Sequence, residues 1–253
     1  LKAISNSQNF VDGMESIIPT VNNYSFDRLI AIGDIHGCFD KLMSLWKKLE
    51  VTDNDLVIFL GDYIDRGAQV AETIKWILEQ SKKENFIFLR GNHEHMLLGT
   101  FQRRMNKLTW LFNGGQATLR ALSKLKSEDK TFIEQFINFL ENLPLGYSID
   151  IGERTFFFCH AGVDSRTPLD EQSEYFLLWA REEFFDTYDG DAVIISGHSP
   201  VQAFKKFGVA DNPRPVKLPG RNILLMDTGS FMRSGKISAV DILTGEYWQS
   251  DSI

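Results

Sequence analysis

Asp34 and His36 lie two apart in the stretch LIAIGDIHG at 29–37. On an extended segment that spacing aims a carboxylate and an imidazole to the same side, which is half of a divalent-metal site. The design recurs. Apolar, β-forming runs give way at a glycine or a histidine to polar, ligand-type residues at 56–67 (LVIFLGDYIDRG), 85–94 (NFIFLRGNHE), 155–162 (TFFFCHAG) and 192–200 (AVIISGHSP). Asp62, Asn92, His160 and His198 are thereby placed at four more strand ends. In an open sheet such ends line up on one rim, the usual place for a ligand crevice, so the five ends are read as one metal site. Asp34, His36, Asp62, Asn92, His160 and His198 supply carboxylate or amide oxygens and imidazoles but no thiolate. That donor set suits Mn²⁺, Fe or Zn²⁺ over soft ions and is too rich in nitrogen for Ca²⁺. It exceeds what one open catalytic ion takes and matches two ions sharing a carboxylate, with Asp62 the candidate bridge.

Two ions roughly 3.5–4 Å apart lower the pKa of a shared water and hold a phosphoryl oxygen beside it. Phosphate-ester hydrolysis further requires cations on the remaining oxygens and an acid for the leaving group. Arg66 offers the planar fork that matches a phosphate bidentately, and Arg181, in LWARE at 178–182, is the second candidate. His93, beside Asn92, is the expected general acid, with Asp65 accepting its other ring N–H. A single histidine beside an apolar strand is usually a structural hydrogen-bonding group. Here four of the five histidines fall at strand ends near glycine, which reverses that expectation. The fifth, His95, is expected to be solvated or to support the site from outside, and Asp227 could be a ligand by type.

The elements that must position these residues follow the period of the apolar positions. Residues 1–27 read as an irregular lead-in with one short helical turn. A buried strand at 28–35 precedes a helix at 39–50, where Leu42, Leu45, Trp46 and Leu49 have helical spacing. The pairs 56–60 with 70–78 and 86–89 with 94–101 repeat the unit, which implies parallel βαβ wiring. Residues 106–143 form a helical insertion broken at Gly114-Gly115, its aromatic residues expected in the core. A hairpin is expected at 146–151 and 155–159. Further strands are expected at 192–196, 222–226, 237–243 and 246–248, so that half of the sheet system is built from hairpins, with an irregular proline-bearing loop before 222. The fold class is mixed α/β (α+β): two mixed sheets packed as a sandwich with flanking helices, in a single domain over 1–253.

Composition narrows the partners. At 253 residues and 43% hydrophobic, the chain can bury a large core. A net charge of −7 argues against nucleic-acid binding, and no apolar run reaches the length of a membrane span. Residues 1–20 are polar and carry no signal-peptide core. Cys38 and Cys159 make no disulfide framework, so a reducing, cytoplasmic setting is expected, with a monomer favoured.

The blocks GDIHG at 33–37, GDYIDRG at 61–67, GNHE at 91–94, CHAG at 159–162 and GHSP at 197–200, five in order, resemble the signature of the phosphoprotein-phosphatase branch of calcineurin-like metallophosphoesterases. Asn113-Gly114-Gly115, residues 179–182 and Asp227-Thr228-Gly229 are similar to the small bacterial and phage protein phosphatases. The resemblance implies Asp34, His36 and Asp62 on one ion, and Asp62, Asn92, His160 and His198 on the other. It also implies His93 with Asp65 as the acid pair, Arg66 and Arg181 on phosphate, and a structural role for Asp227. No counterpart is evident of the tyrosine-bearing loop near the C-terminus of the eukaryotic enzymes. The sister family of symmetric diadenosine tetraphosphate hydrolases typically has alanine where this chain has Asp65. The activity expected is therefore hydrolysis of Ser/Thr, and also Tyr, phosphomonoesters of proteins by direct attack of metal-bound hydroxide, with two ions, Mn²⁺ foremost. Symmetric hydrolysis of diadenosine tetraphosphate, or hydrolysis of another nucleoside polyphosphate, is the alternative.

Overall fold

The structure, a computed structural model, describes residues 20–21, 25–209 and 211–252. Most of the expected lead-in, including its helical turn, lies outside the described residues. Its Thr20–Val21 forms a strand, β1, where no regular element was expected.

Two mixed sheets pack face to face. The first has the order β11-β10-β2-β3-β4, built from β2 (Arg28–Ile32), β3 (Asp55–Phe59), β4 (Phe86–Phe88), β10 (Ser238–Asp241) and β11 (Tyr247–Gln249). Strands β2, β3 and β4 run parallel through α1 (Phe39–Leu49) and α2 (Val70–Gln80), as the βαβ periodicity predicts. The second sheet has the order β1-β5-β6-β7-β9-β8. Its β5 (Gly146–Ile151) and β6 (Arg154–Cys159) are the expected hairpin. Expectation and structure part at β7 (Val193–Ser196) and β9 (Ile223–Leu225), which run parallel to β6 instead of forming further hairpins. The crossover to β7 is carried by two six-residue helices, α7 (Glu174–Trp179) and α8 (Glu182–Thr187), too short for a clear period. A two-residue strand, β8 (Val216–Lys217), pairs with β9 from the proline-bearing loop.

Strand alternation divides the core into three layers. On β2, Leu29 and Ala31 face the other sheet while Ile30 and Ile32 face the helices; on β3, Leu56 and Ile58 face inward and Val57 and Phe59 outward. On β6 the same alternation sends Phe156 and Phe158 between the sheets and Phe157 and Cys159 toward α7 and α8. Both faces of these strands are buried, which is why their sequences read as continuous apolar runs. Truncating fully buried Phe158 to alanine would cost about 3–5 kcal/mol.

The helical insertion packs on the outer face of the first sheet as α4 (Lys107–Trp110), a π-helical turn (Leu111–Gly115), α5 (Gln116–Glu128) and α6 (Phe132–Glu141). The expected break is at Gly114, whose φ of 106° no other residue type adopts readily. Among the described residues no helix is long and apolar enough to cross a membrane.

Candidate active site

The C-terminal ends of β2, β3, β4, β6 and β7 meet on one rim, and the six candidate donors converge there, all buried. Asp34 and His36 do not owe their proximity to an extended strand. Strand β2 ends at Ile32, and a turn with His36 at φ 48° brings its Nε2 to 4.0 Å from Asp34. Asn92 and His93 are likewise not at a strand end but on the first turn of α3 (Asn92–Phe101), after Gly91 at the N-cap. All four reach the rim, on a turn and a helix start instead of the expected strand ends.

Asp62 stands at the centre. Its Oδ2 lies 3.4 Å from His36 Nε2 and its Oδ1 3.4 Å from His160 Nε2, so its two oxygens face two imidazoles. His36 Nδ1 donates to Ile64 O at 2.9 Å and His160 Nδ1 to Leu60 O at 2.9 Å, which leaves each Nε2 as a bare lone pair aimed inward. Asn92 Oδ1 lies 2.8 Å from His160 Nε2 and 3.0 Å from His198 Nδ1, and those two nitrogens are 3.2 Å apart. With His160 Nε2 a lone pair, three such close polar atoms repel unless a cation or a shared proton sits among them. The donor set thus fits divalent ions. Two triads of ligand-type side chains, His36 with Asp62 and His93, and Asp62 with His160 and His198, place these atoms within 4.8 Å of one another. His93 belongs to the first triad by distance only, because its two ring nitrogens are already engaged by Asp65 and Arg66.

Electrostatics point the same way. Burial, then the charges of Asp227 and Asp62, hold the Asp34 carboxyl well above its ordinary range. Burial, then Glu94, does the same to Asp62. Burial pulls His160 down to about 3 and holds His36 and His198 well below their usual value. Crowded buried carboxylates beside unprotonated imidazoles are what a cation relieves.

Five of the seven non-glycine residues described with left-handed backbone are His36, Asp62, Asp65, Arg66 and His198. Each such residue costs about 1–3 kcal/mol and persists only where its surroundings hold it. Glu94 is the holder at Asp62: its carboxylate accepts the N–H groups of Asp62 at 2.8 Å, Tyr63 at 2.9 Å and Gly91 at 3.0 Å. Burial raises the Glu94 carboxyl to about 7 even against these bonds. At Gly197 and Gly91, close approach matters, since a Cβ would strike the Asp34 and Asp62 carboxylates respectively.

Around the donors lies a ring of expected catalytic groups. His93 Nδ1 is 2.7 Å from Asp65 Oδ2, and His93 Nε2 is 3.0 Å from an Arg66 guanidinium nitrogen. Burial lowers the His93 imidazole more than Asp65 raises it. Arg181 sits at the N-cap position of α8, in the junction after α7, and its Nη1 reaches Ser199 Oγ at 3.2 Å. His95 stays outside the cluster, half-buried and 3.7 Å from Glu174. Asp227 accepts the Gly229 N–H at 2.8 Å, and burial raises its carboxyl to about 6.

Several residues at the site escaped the sequence reading. Trp110 Nε1 donates to Asp65 at 2.9 Å and Thr118 Oγ1 at 2.5 Å, both from the helical insertion. Trp110 is buried, as expected of an aromatic there, and also carries a polar function. Phe231, in the loop between β9 and β10, lies 4.3 Å from the Arg66 guanidinium and 5.2 Å, edge-on, from the His36 ring. One aromatic of the C-terminal part, Phe231, thus reaches the site. Glu94 alone had a signal, its place three residues after Gly91 ahead of an apolar helix.

Comparison with known proteins gives the chain its family. The calcineurin-like phosphoesterase family matches residues 27–238. An asymmetrical bis(5'-nucleosyl)-tetraphosphatase, PrpE, of Halalkalibacterium halodurans is 30% identical over 196 residues, covering 68% of this chain and 78% of that protein. Among solved structures, a candidate diadenosine tetraphosphatase superposes with a TM-score of 0.68 at 18% identity, covering 93% of this chain and 97% of that one. A protein serine/threonine phosphatase of Saccharomyces cerevisiae superposes with a TM-score of 0.56 at 17% identity, covering 93% and 83%. Those two likenesses show the fold. Sandwich, rim and motif order agree with the match along the sequence, and the chain belongs to the calcineurin-like phosphoesterases.

Proposed function

We propose that the chain is a dinuclear-metal phosphohydrolase acting on nucleoside polyphosphates. The observation that carries the dinuclear reading is Asp62, whose two oxygens face His36 and His160 separately. Asp34, His36 and Asp62 would hold one ion, and Asp62, Asn92, His160 and His198 the other. When bound, two divalent cations, Mn²⁺ by preference, supply charge against the phosphoryl oxygens and a water acidic enough to attack phosphorus. Arg66 and Arg181 bind the remaining oxygens from the rim. Neither cysteine offers a nucleophile: burial raises both thiols, and Cys38 Sγ turns to His36 O at 3.5 Å. This supports transfer to water without a covalent enzyme intermediate. The three apolar layers share the two sheets, which supports one domain over 1–253.

His93 delivers the proton to the leaving oxygen from Nε2, while Asp65 holds Nδ1–H and fixes the ring. While Arg66 donates to it, Nε2 carries no proton; a substrate phosphate that draws Arg66 away lets Nε2 take one from solvent, which the leaving oxygen then receives. The substrate class rests on the relative of Halalkalibacterium halodurans, whose name is that of a dinucleoside tetraphosphatase, and this favours the alternative over the phosphoprotein expectation. One observation favours the second reading, hydrolysis of phosphoserine or phosphothreonine. An alkoxide leaving group needs a proton more than a nucleotide phosphate does, and the Asp65–His93 pair is intact. Measuring kcat/KM with Mn²⁺ on diadenosine tetraphosphate and on a phosphoserine peptide separates them: the first is expected to exceed the second at least tenfold, and the reverse order restores the phosphoprotein reading.

A further inference from the structure

The loop 229–235 is pinned from below. Lys41, a buried lysine on α1, donates to Ser230 O at 2.8 Å and Gly235 O at 2.6 Å, and Met232 N–H closes a turn on Gly229 O at 2.8 Å. At its crest Phe231 keeps 37% of its surface exposed while lying against Arg66 and edge-on to His36. A lone exposed phenyl group requires no explanation. One held by a buried lysine, with a guanidinium expected to grip phosphate over its ring, is a different case, because the rest of the ring leaves apolar surface free next to the reacting group.

We infer that Phe231 is the platform on which the nucleobase of the substrate stacks while Arg66 holds the neighbouring phosphate. The inference rests on the nucleoside-polyphosphate reading and adds the residue that recognises the nucleoside. The flexible polyphosphate chain lets a base fold back onto a ring beside the metal centre. Stacking recognises an aromatic face and no hydrogen-bond pattern, so this platform binds adenine and guanine nucleotides alike. Selection among bases is weak, and discrimination against substrates lacking a base is strong. Phe231 therefore governs specificity through binding.

The test is calorimetric titration of the Mn²⁺-loaded chain with α,β-methylene-ADP and with methylenediphosphonate, which differ by the nucleoside. Phe231→Leu keeps apolar bulk but removes the aromatic face. It is expected to weaken the nucleotide about tenfold relative to the diphosphonate, and Phe231→Trp to restore or tighten it; the tryptophan variant carries the test should the leucine variant fold poorly. An unchanged ratio overturns the platform. Equal weakening of both ligands overturns it too, since the ring would then act only by placing Arg66. Loss of phenyl phosphate binding with nucleotide binding intact assigns the ring to aryl esters and overturns it as well. A wild-type chain that leaves diadenosine tetraphosphate intact, yet loses the nucleotide preference on Phe231→Leu, sinks the hydrolase reading and keeps the platform. Cleavage of diadenosine tetraphosphate with an unchanged ratio does the opposite.

Discussion

In the donor cluster, Asp34, His36, Asp62, Asn92, His160 and His198 are all buried, and two of the imidazoles are fixed by the main-chain carbonyls of Leu60 and Ile64. At the rim, Arg66 and Arg181 are exposed, and each leans on a group that a substrate oxygen can replace: His93 Nε2 for one, Ser199 Oγ for the other. The cluster is held by buried bonds, main-chain carbonyls on His36 and His160 and the Glu94 carboxylate at Asp62, while the exposed rim arginines rest on groups that a substrate can displace. A chain built this way keeps its ion geometry fixed and leaves substrate choice to the surface.

The largest expected break in that comparison is Asp62→Asn. Removing the shared charge should release metal and lower turnover roughly a thousandfold or more, because the ions supply several kcal/mol of charge stabilisation. Metal analysis that still finds two ions per chain would show that Asp62 is not the bridge. Next comes His93→Asn, expected to cost about 10²–10³ in kcat on alkyl phosphates and far less on nitrophenyl phosphate, whose leaving group needs little protonation. Equal losses on the two would remove His93 from the acid role. Trp110→Phe probes the seam between the regions. It removes the indole N–H bonded to Asp65, so turnover should fall about 2- to 10-fold with metal content unchanged, and a fall in bound metal would mean that the insertion supports the cluster as well.

The smallest effect on turnover is expected far from the rim, at Asp55. Burial pushes its carboxyl up, but bonds from the Arg28 guanidinium at 2.6 and 2.9 Å and from the Thr52 N–H outweigh that and leave it below its ordinary value. A depressed carboxyl contributes stability that is full above the pKa of the unfolded chain, near 4, and lost as pH falls through the folded value. Asp55→Asn should therefore cost about 1.5–3 kcal/mol at neutral pH, flatten the acid limb of a Tm-against-pH curve, and leave kcat unchanged. A variant that loses activity at neutral pH while folded would contradict this separation of stability from chemistry.

The cluster was legible in the sequence because each donor follows an apolar run that both sheets bury, so position along the chain predicts position on the rim. What was not legible has physical causes. Asn92 and His93 belong to a helix because Glu94 caps it through Gly91, a contact that the apolar strand before it overshadows. The parallel order of β6, β7 and β9 was hidden by crossovers too short or too irregular to show a period. Trp110, Thr118 and Phe231 reach Asp65 or Arg66 from at least 45 residues away, through helix packing and loop anchoring that leave no local pattern. The aromatic and threonine of the insertion look like any other core residues until their partner is seen.

That insertion has a consequence for redesign. Between Asn106 and Leu143 lies a segment that connectivity alone would mark as an ornament, open to trimming or replacement by a linker. Its Trp110 and Thr118 are nevertheless the clamps on Asp65, so a shortened chain would retain its six donors and lose the brace that keeps the proton donor aligned. Such a truncation would also strip the outer face of the first sheet of Trp110, Phe136 and Leu140.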